Sequence, residues 1–211
     1  MIKKTIEGVL AGIMIAIGGS VFVACDDKVV GSVFFSVALL TICMKGYSLF
    51  TGKVGFIPQS HKKEDISALL WGLLGNLIGT VVCGLLVATA LPKLHAASEV
   101  IAAAKLSQSF IETLIRAFFC GVLMYAAVSI FREHKSSLGI FFCVPTFILA
   151  GFEHLIADMF YLALGYSFDV KSLLFILTVL LGNALGAMTM TSLRLLGEKS
   201  EKKTQNAPVS E

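Results

Sequence analysis

Six apolar runs, each long enough to cross a bilayer as a helix, are the feature that most constrains this chain. They cover residues 6–25, 29–50, 66–91, 111–131, 138–164 and 172–196. A helix that rises about 1.5 Å per residue needs about 20 apolar residues to span about 30 Å of hydrocarbon. With 56% hydrophobic and 15% charged residues, the chain has too little polar surface for a soluble fold. We therefore predict an all-α membrane protein with six transmembrane helices.

Basic residues predict the orientation of this membrane domain. With both termini cytoplasmic, eleven Lys and Arg fall on the inside and four on the outside, which satisfies the positive-inside rule. The four outside residues are Lys28, Lys93, Lys105 and Lys171. We predict one domain over residues 1–197, a polar cytoplasmic tail over 198–211, and a multi-pass location in the cell inner (plasma) membrane. The start also resembles a lipoprotein signal, but Phe22 suits that motif poorly, and we expect the first run to remain as a span.

The two halves of the chain share a motif. "LLGNLIG" at residues 73–79 returns as "LLGNALG" at residues 180–186, so that Asn76 and Asn183 correspond. Each half, about 1–91 and 106–197, holds three spans, and an odd number makes the halves insert in opposite orientations. Inverted repeats of this kind are common in transporters. The alternative is that Gly-Asn recurs by chance in a glycine-rich chain.

The middle span of each half is irregular. Polar residues, three glycines and a proline interrupt residues 45–58, and "AGFEH" interrupts residues 150–154. Irregular backbone is tolerated at membrane depth where it lines a cavity. We therefore predict that the second and fifth helices are interrupted and that a substrate path lies between them.

Four segments, "AGIMIAIGG", "SLFTGK", "AGFEHLIADMF" and "GNALG", resemble the formate/nitrite transporter family, and the similarity covers about residues 6–196. The resemblance implies an aquaporin-like protomer, assembled as a homopentamer in which each protomer has its own pore. It also implies one histidine near the pore centre that handles weak-acid anions such as formate, nitrite or hydrosulfide. The chain departs from the family pattern at Lys45 and at Ser48, usually acidic. It also departs at Gly121 and Asp158, both usually asparagine.

His154 is the residue on which the predicted pathway depends, because no other histidine falls within a predicted span. An unperturbed imidazole pKa of about 6.5 lets modest surroundings switch it between proton donor and acceptor. Thr51 is expected to offer a hydroxyl across the pore, and Leu49, Phe50 and Phe147 are candidate constriction residues by the resemblance. The alternative for His154 is a hydrogen-bonded structural residue.

Two carboxyls accompany the histidine. We expect Glu153 to support the interrupted helix by accepting hydrogen bonds from backbone amides. Asp158, four residues after His154, either orients the imidazole as an ion partner or pairs with Lys45 or Arg116. Lys45 is otherwise expected to give an anion a positive vestibule. The flux is expected to depend on pH near the imidazole titration, at a higher pH if Asp158 is its ionised partner and at a lower pH if desolvation prevails.

These residues predict a channel or carrier for small monovalent weak-acid anions, with protons as possible co-substrates and the lipid bilayer as surroundings. The alternative is a channel for a small cation or neutral solute, which the two carboxyls favour. An intramembrane hydrolase is disfavoured, because no H-E-x-x-H or G-x-S-x-G motif is present. The net charge of +3 follows from the topology and does not indicate nucleic-acid binding. We predict no cofactor, no metal site, no catalytic residue and no disulfide among the five cysteines.

Overall fold

The computed structural model describes the backbone of residues 1–60 and 62–205, with side chains up to residue 200, and shows helices joined by short connections. His61 and the last six residues of the predicted tail lie outside the described part. The helices are α1 (Ile2–Ala24), α2 (Lys28–Lys45), α3 (Phe50–Lys53), α4 (Lys63–Ala90), α5 (Pro92–Leu106), α6 (Phe110–His134), α7 (Leu138–Leu149), α8 (Leu155–Leu164) and α9 (Val170–Gln205), with a 3-10 helix (Val54–Gln59) after α3. No strand occurs in the described ranges, which confirms the all-α prediction.

Within the described residues, five helices are long and apolar enough to cross a membrane, namely α1, α2, α4, α6 and α9. Helices α7 and α8 are apolar but shorter, and together they occupy the fifth predicted run. Many large apolar side chains on the outside of the bundle stay exposed, among them Phe34, Leu74, Phe142 and Leu181. Such a surface suits lipid or a second protein chain rather than water.

Two segments outside the predicted spans are helical. The segment between the third and fourth runs forms α5, because Pro92 suits a helix start and the alanines that follow favour a helix. Helix α5 docks on α8, where Ser98 donates a hydrogen bond of 2.9 Å to the carbonyl oxygen of Tyr161. The tail predicted from residue 198 begins as the continuation of α9, which runs to Gln205.

Glycines allow two pairs of helices to pack closely, α1 on α4 and α6 on α9. A Cβ atom on Gly79 of α4 would reach 2.5 Å from the carbonyl oxygen of Val9 in α1. In the other pair, a Cβ on Gly186 of α9 would collide with the carbonyl oxygen of Phe118 in α6. Both glycines end the repeated Leu-Leu-Gly-Asn motif, so the two halves use the same contact.

The two motif asparagines make the same three hydrogen bonds in the two halves. Asn76 Oδ1 accepts from the amide of Phe50 at 2.9 Å, and Nδ2 donates to the carbonyl oxygens of Gly8 and Ser48 at 2.9 and 2.8 Å. Asn183 Oδ1 accepts from the amide of Leu155 at 2.9 Å, and its Nδ2 donates to the carbonyl oxygens of Ala117 and Glu153, both at 2.8 Å. Each asparagine is fully buried. Each therefore fixes the backbone just before a short helix, α3 in one half and α8 in the other.

Candidate functional site

Two loops, one after α2 and one after α7, have the same type of backbone hydrogen bond. After α2, Gly46 has a φ of 69°, and the amide of Tyr47 donates to Ile42 at 3.0 Å. After α7, Gly151 has a φ of 71°, and the amide of Phe152 donates to Phe147 at 2.9 Å. Positive φ is readily adopted by glycine, which explains why a glycine stands at each break. Short helices α3 and α8 then restart from extended residues, Leu49 and His154.

His154 lies at the start of α8 with both ring nitrogens engaged. The amide of Ala157 donates to Nδ1 at 3.1 Å, so the imidazole is the N-cap of α8. Because Nδ1 accepts a hydrogen bond, the proton of a neutral ring belongs on Nε2. Nε2 lies 2.8 Å from the hydroxyl oxygen of Thr51 in α3, to which it then donates. The two short helices are thus joined through the side chains that the sequence singles out.

Aromatic and aliphatic side chains surround this hydrogen bond. The ring of Phe147 stacks on the imidazole with a centroid distance of 5.4 Å and an angle of 16°. Leu49, Phe50, Thr51, Phe147 and His154 are all buried, with 4% or less of their surface exposed. The contact between His154 and Thr51 is therefore enclosed by apolar groups.

Two cavities approach this point from different sides. The first cavity, of about 600 Å³, is lined by residues that include Leu39, Leu49 and Gly52. The second cavity, of about 470 Å³, is lined by residues that include Phe147 and His154, and it shares no lining residue with the first. Thr51 lies between Leu49 and Gly52, which line the first cavity, and His154 lines the second cavity, so the hydrogen bond between Thr51 and His154 connects the walls of the two cavities.

The first cavity is basic. Its charged lining residues are Lys4, Lys53, Arg132, Lys135 and Asp65. Lys53 donates to the hydroxyl of Ser48 at 3.3 Å, and the Arg132 guanidinium lies 4.0 Å from the centre of the Phe56 ring. Lys45 was expected to supply this positive charge. It is instead exposed at the end of α2 and lines neither cavity. Helix α2 ends at Lys45, and the chain enters the bundle only after Gly46.

The second cavity holds a buried cluster of Lys105, Glu153 and Asp158, here called the carboxylate–lysine cluster. Lys105 Nζ forms an ion pair with Glu153 Oε2 and another, of 2.8 Å, with Asp158 Oδ1. Glu153 Oε1 accepts a hydrogen bond of 2.6 Å from Gln108. Glu153 and Asp158 are 3% and 1% exposed, so two buried carboxyls share one ammonium.

These contacts correct two expectations. Glu153 accepts hydrogen bonds from side chains rather than from freed amides, because Asn183 already holds its backbone. Asp158 pairs with Lys105 and not with Lys45, Arg116 or the imidazole of His154. Arg116 donates to the carbonyl oxygen of Gly151 at 3.2 Å and pairs with Glu112 at 2.6 Å. Arg116 therefore contacts the second break.

Lys105 and Gln108 are the site residues that sequence reasoning missed. Charge counting places Lys105 in an outside connection, whereas α5 folds back and carries it to the cluster. The available signal was chemical: two carboxyls within an apolar run require a cation, and the alanine-rich segment before Lys105 favours a helix.

Replacing Lys105 with methionine is expected to destabilise the protein by about 3–5 kcal/mol, because two buried carboxyls then lose their shared cation. The measurement is the chemical unfolding of purified protein in mild detergent. Lys93→Met is the matched control, since Lys93 is exposed at the start of the same helix. Equal stability of the two variants would contradict the assignment of Lys105 as the partner of both carboxyls.

A helical membrane protein with a cavity on each side of a narrow, enclosed polar contact has the arrangement of channels and transporters. A sequence profile described as formate/nitrite transporter matches residues 1–196, and the chain belongs to this family. Among curated relatives, it is 30% identical over 179 residues to the nitrite transporter NirC of Salmonella typhimurium (strain LT2), covering 75% of this chain and 66% of that protein. It is 27% identical over 158 residues to a formate-nitrite transporter of Plasmodium ovale, covering 65% of this chain and 50% of that protein. The chain thus spans about half to two thirds of the length of these relatives.

Two solved structures share the fold. A pentameric formate channel with formate bound has a TM-score of 0.75 and 22% identity, covering 92% of this chain and 95% of that one. An ion channel of the same family has a TM-score of 0.77 and 24% identity, covering 93% of this chain and 88% of that one. At these identities the similarity establishes the fold alone.

Proposed function

We propose that this chain is a channel or transporter for small monovalent anions of weak acids, such as formate, nitrite or hydrosulfide, which pass His154. The observation that carries the proposal is the hydrogen bond between His154 and Thr51, enclosed by apolar residues and approached by a cavity on each side. The named substrates of the family relatives, formate and nitrite, belong to this chemical class.

The chemistry of an enclosed donor pair suits such anions. An anion that leaves water for an apolar constriction loses hydration that is worth many kcal/mol unless hydrogen bonds replace it. The hydroxyl hydrogen of Thr51 is a donor that an anion would meet there, and Nε2–H of His154 becomes a second donor when the anion replaces the Thr51 oxygen as its acceptor. The cap from Ala157 to Nδ1 favours hydrogen-bond donation by a neutral ring, since an imidazolium would have to give up this cap. Protonation of the anion would therefore require the imidazole to release α8.

The charge of the first cavity also favours anions. The basic lining of the first cavity attracts anions and raises their concentration at the entrance. Its basic side chains come from α1, from α3 and from the end of α6, and Lys45 is not among them.

We further propose six crossings in two inverted repeats, with the second and fifth crossings interrupted at Gly46 and Gly151. The matched contacts of Asn76 and Asn183 support this symmetry. A homopentamer with one pore per protomer follows from likeness to the pentameric formate channel, and the exposed apolar side chains supply surface for it. We place both termini in the cytoplasm and the protein in the plasma membrane. Native mass spectrometry in mild detergent tests the pentamer, and a stable monomer would contradict it.

A small cation or neutral solute is the second candidate, and the carboxylate–lysine cluster is the observation in its favour. Two carboxyls share one lysine beside the second cavity, which would attract a cation such as ammonium. Reconstitution in liposomes with formate, nitrite, hydrosulfide and ammonium separates the candidates. Anion flux that exceeds ammonium flux supports the proposal, and ammonium flux without anion flux would overturn it.

A further inference from the structure

We infer that Asp158 is a proton-binding site of the second cavity, in which Oδ2 takes up a proton and turns its O–H towards an anion there. Lys105 brings one positive charge, and Glu153 with Asp158 brings two negative charges, so the ionised cluster carries a net charge of −1. A buried net charge next to an anion path repels the anion until a proton neutralises it.

The unequal partners of the two carboxyls decide where the proton binds. Both oxygens of Glu153 have donors, Oε2 from Lys105 and Oε1 from Gln108. Asp158 Oδ1 has Lys105, but its buried Oδ2 has no hydrogen-bond partner in the part of the chain that is described. A buried carboxylate oxygen without a donor is costly, whereas a carboxylic acid places an O–H at that oxygen. Asp158 lines the second cavity, so rotation of its carboxyl presents the protonated Oδ2, which is buried in this arrangement, to an anion that occupies the cavity.

The surroundings of Asp158 favour a proton over a metal cation. Lys105 from α5 and Glu153 from the break are the charged groups that act on it, and the thiol of Cys120 and the phenol of Tyr161 feel the same charges. The other titratable side chains of the cavity are His154, Glu112 and Arg116, the last two paired with each other. Helix α1 contributes Phe22 to the lining, and α3, α4 and α9 contribute no described residue. The ammonium of Lys105 already lies against both carboxyls, so a metal ion would be repelled.

The proton step balances simply. A hydronium ion in the second cavity transfers a proton to Asp158 Oδ2, so one O–H bond of hydronium breaks, an O–H bond forms on the carboxyl, and a water molecule is left. The cluster changes from a net charge of −1 to neutral, and no electron is transferred. The neutral cluster no longer repels the anion and adds a donor to the path, so each proton bound at Asp158 favours anion entry.

Infrared spectroscopy across a pH series tests the proton itself, without relying on the proposed function. We expect the carbonyl stretch of a protonated, buried carboxyl in the full-length protein, shifted by ¹³C labelling of aspartate and lost in Asp158→Asn. Asp26→Asn is the matched control, because Asp26 is exposed in the connection between α1 and α2. A band that is insensitive to aspartate labelling, that persists in Asp158→Asn, or that is displaced by sodium or ammonium at fixed pH would overturn the inference.

The transport consequence rests on the proposed function and has a separate measurement. Above the titration of Asp158, each pH unit lowers the protonated fraction tenfold, so the flux ratio of Asp158→Asn to wild type should rise by about tenfold per pH unit. A ratio that stays constant across the series would contradict a role of this proton in anion entry. If the infrared band is present but no anion crosses the wild-type protein, the proposed function fails while the proton site stands.

Discussion

Replacing His154 with phenylalanine is expected to lower anion flux by about 100-fold or more. Loss of a hydrogen-bond donor to a desolvated anion costs about 3 kcal/mol, which corresponds to about a 100-fold slower passage. Phenylalanine keeps the ring and its stacking on Phe147, so the packing around the constriction is preserved. The lost cap from Ala157 costs about 1 kcal/mol, which a helix buried in this bundle tolerates.

The measurement is formate and nitrite flux into proteoliposomes with equal amounts of each protein. His134→Phe is the matched control, because His134 is exposed at the end of α6 and lines neither cavity. Thr51→Val should reduce flux as well, since it removes the hydroxyl that contacts Nε2. Wild-type flux in a well-folded His154→Phe protein would remove His154 from the pathway and leave it as a cap of α8.

Replacing Asn183 with leucine is expected to destabilise the protein by at least about 3 kcal/mol, because three buried backbone groups lose their partner at once. These groups are the amide of Leu155 and the carbonyl oxygens of Ala117 and Glu153. Asn76→Leu should have a similar effect, since Asn76 makes the equivalent bonds in the other half. An equal loss of stability in the two variants would show that the two asparagines contribute equally, as the repeat predicts.

Chemical unfolding in detergent and the yield of assembled protein measure this effect. Thr178→Val is the control in the same helix, because the Thr178 hydroxyl bonds only to Leu174 one turn away. Its loss should cost less than about 1 kcal/mol. An Asn183→Leu protein as stable as Thr178→Val would show that the asparagine does not stabilise the loop between α7 and α8.

The parts of the structure that repeat in the sequence were predictable from it. Asn76 and Asn183 stand out because the same apolar and glycine pattern surrounds both, and their equivalent hydrogen bonds are local consequences of that pattern. The breaks were predictable from Gly46 and Gly151, since each glycine follows an apolar run that a helix alone would continue. Thr51 and His154, taken from these breaks, are brought into contact by the fold.

The electrostatic partners were not predictable, because they depend on where one unrepeated helix folds. Helix α5 has no counterpart among the predicted runs, and its alanine-rich sequence does not state which face it buries. Lys105 therefore counted as an outside charge, and Asp158 had no partner that the sequence could identify. The prediction that Lys45 lines the vestibule was not met for a local reason. Helix α2 ends at Lys45, which stays on the surface, whereas the next residue, Gly46, already lines the first cavity.

A cryo-EM structure of the reconstituted oligomer at saturating formate tests the central claim, that the anion passes His154, most directly. We expect density for one anion within hydrogen-bond distance of His154 Nε2 and the Thr51 hydroxyl, between Leu49 and Phe147, and no such density without formate. A well-resolved site that stays empty in a preparation that conducts formate, with anion density in another place, would contradict this pathway.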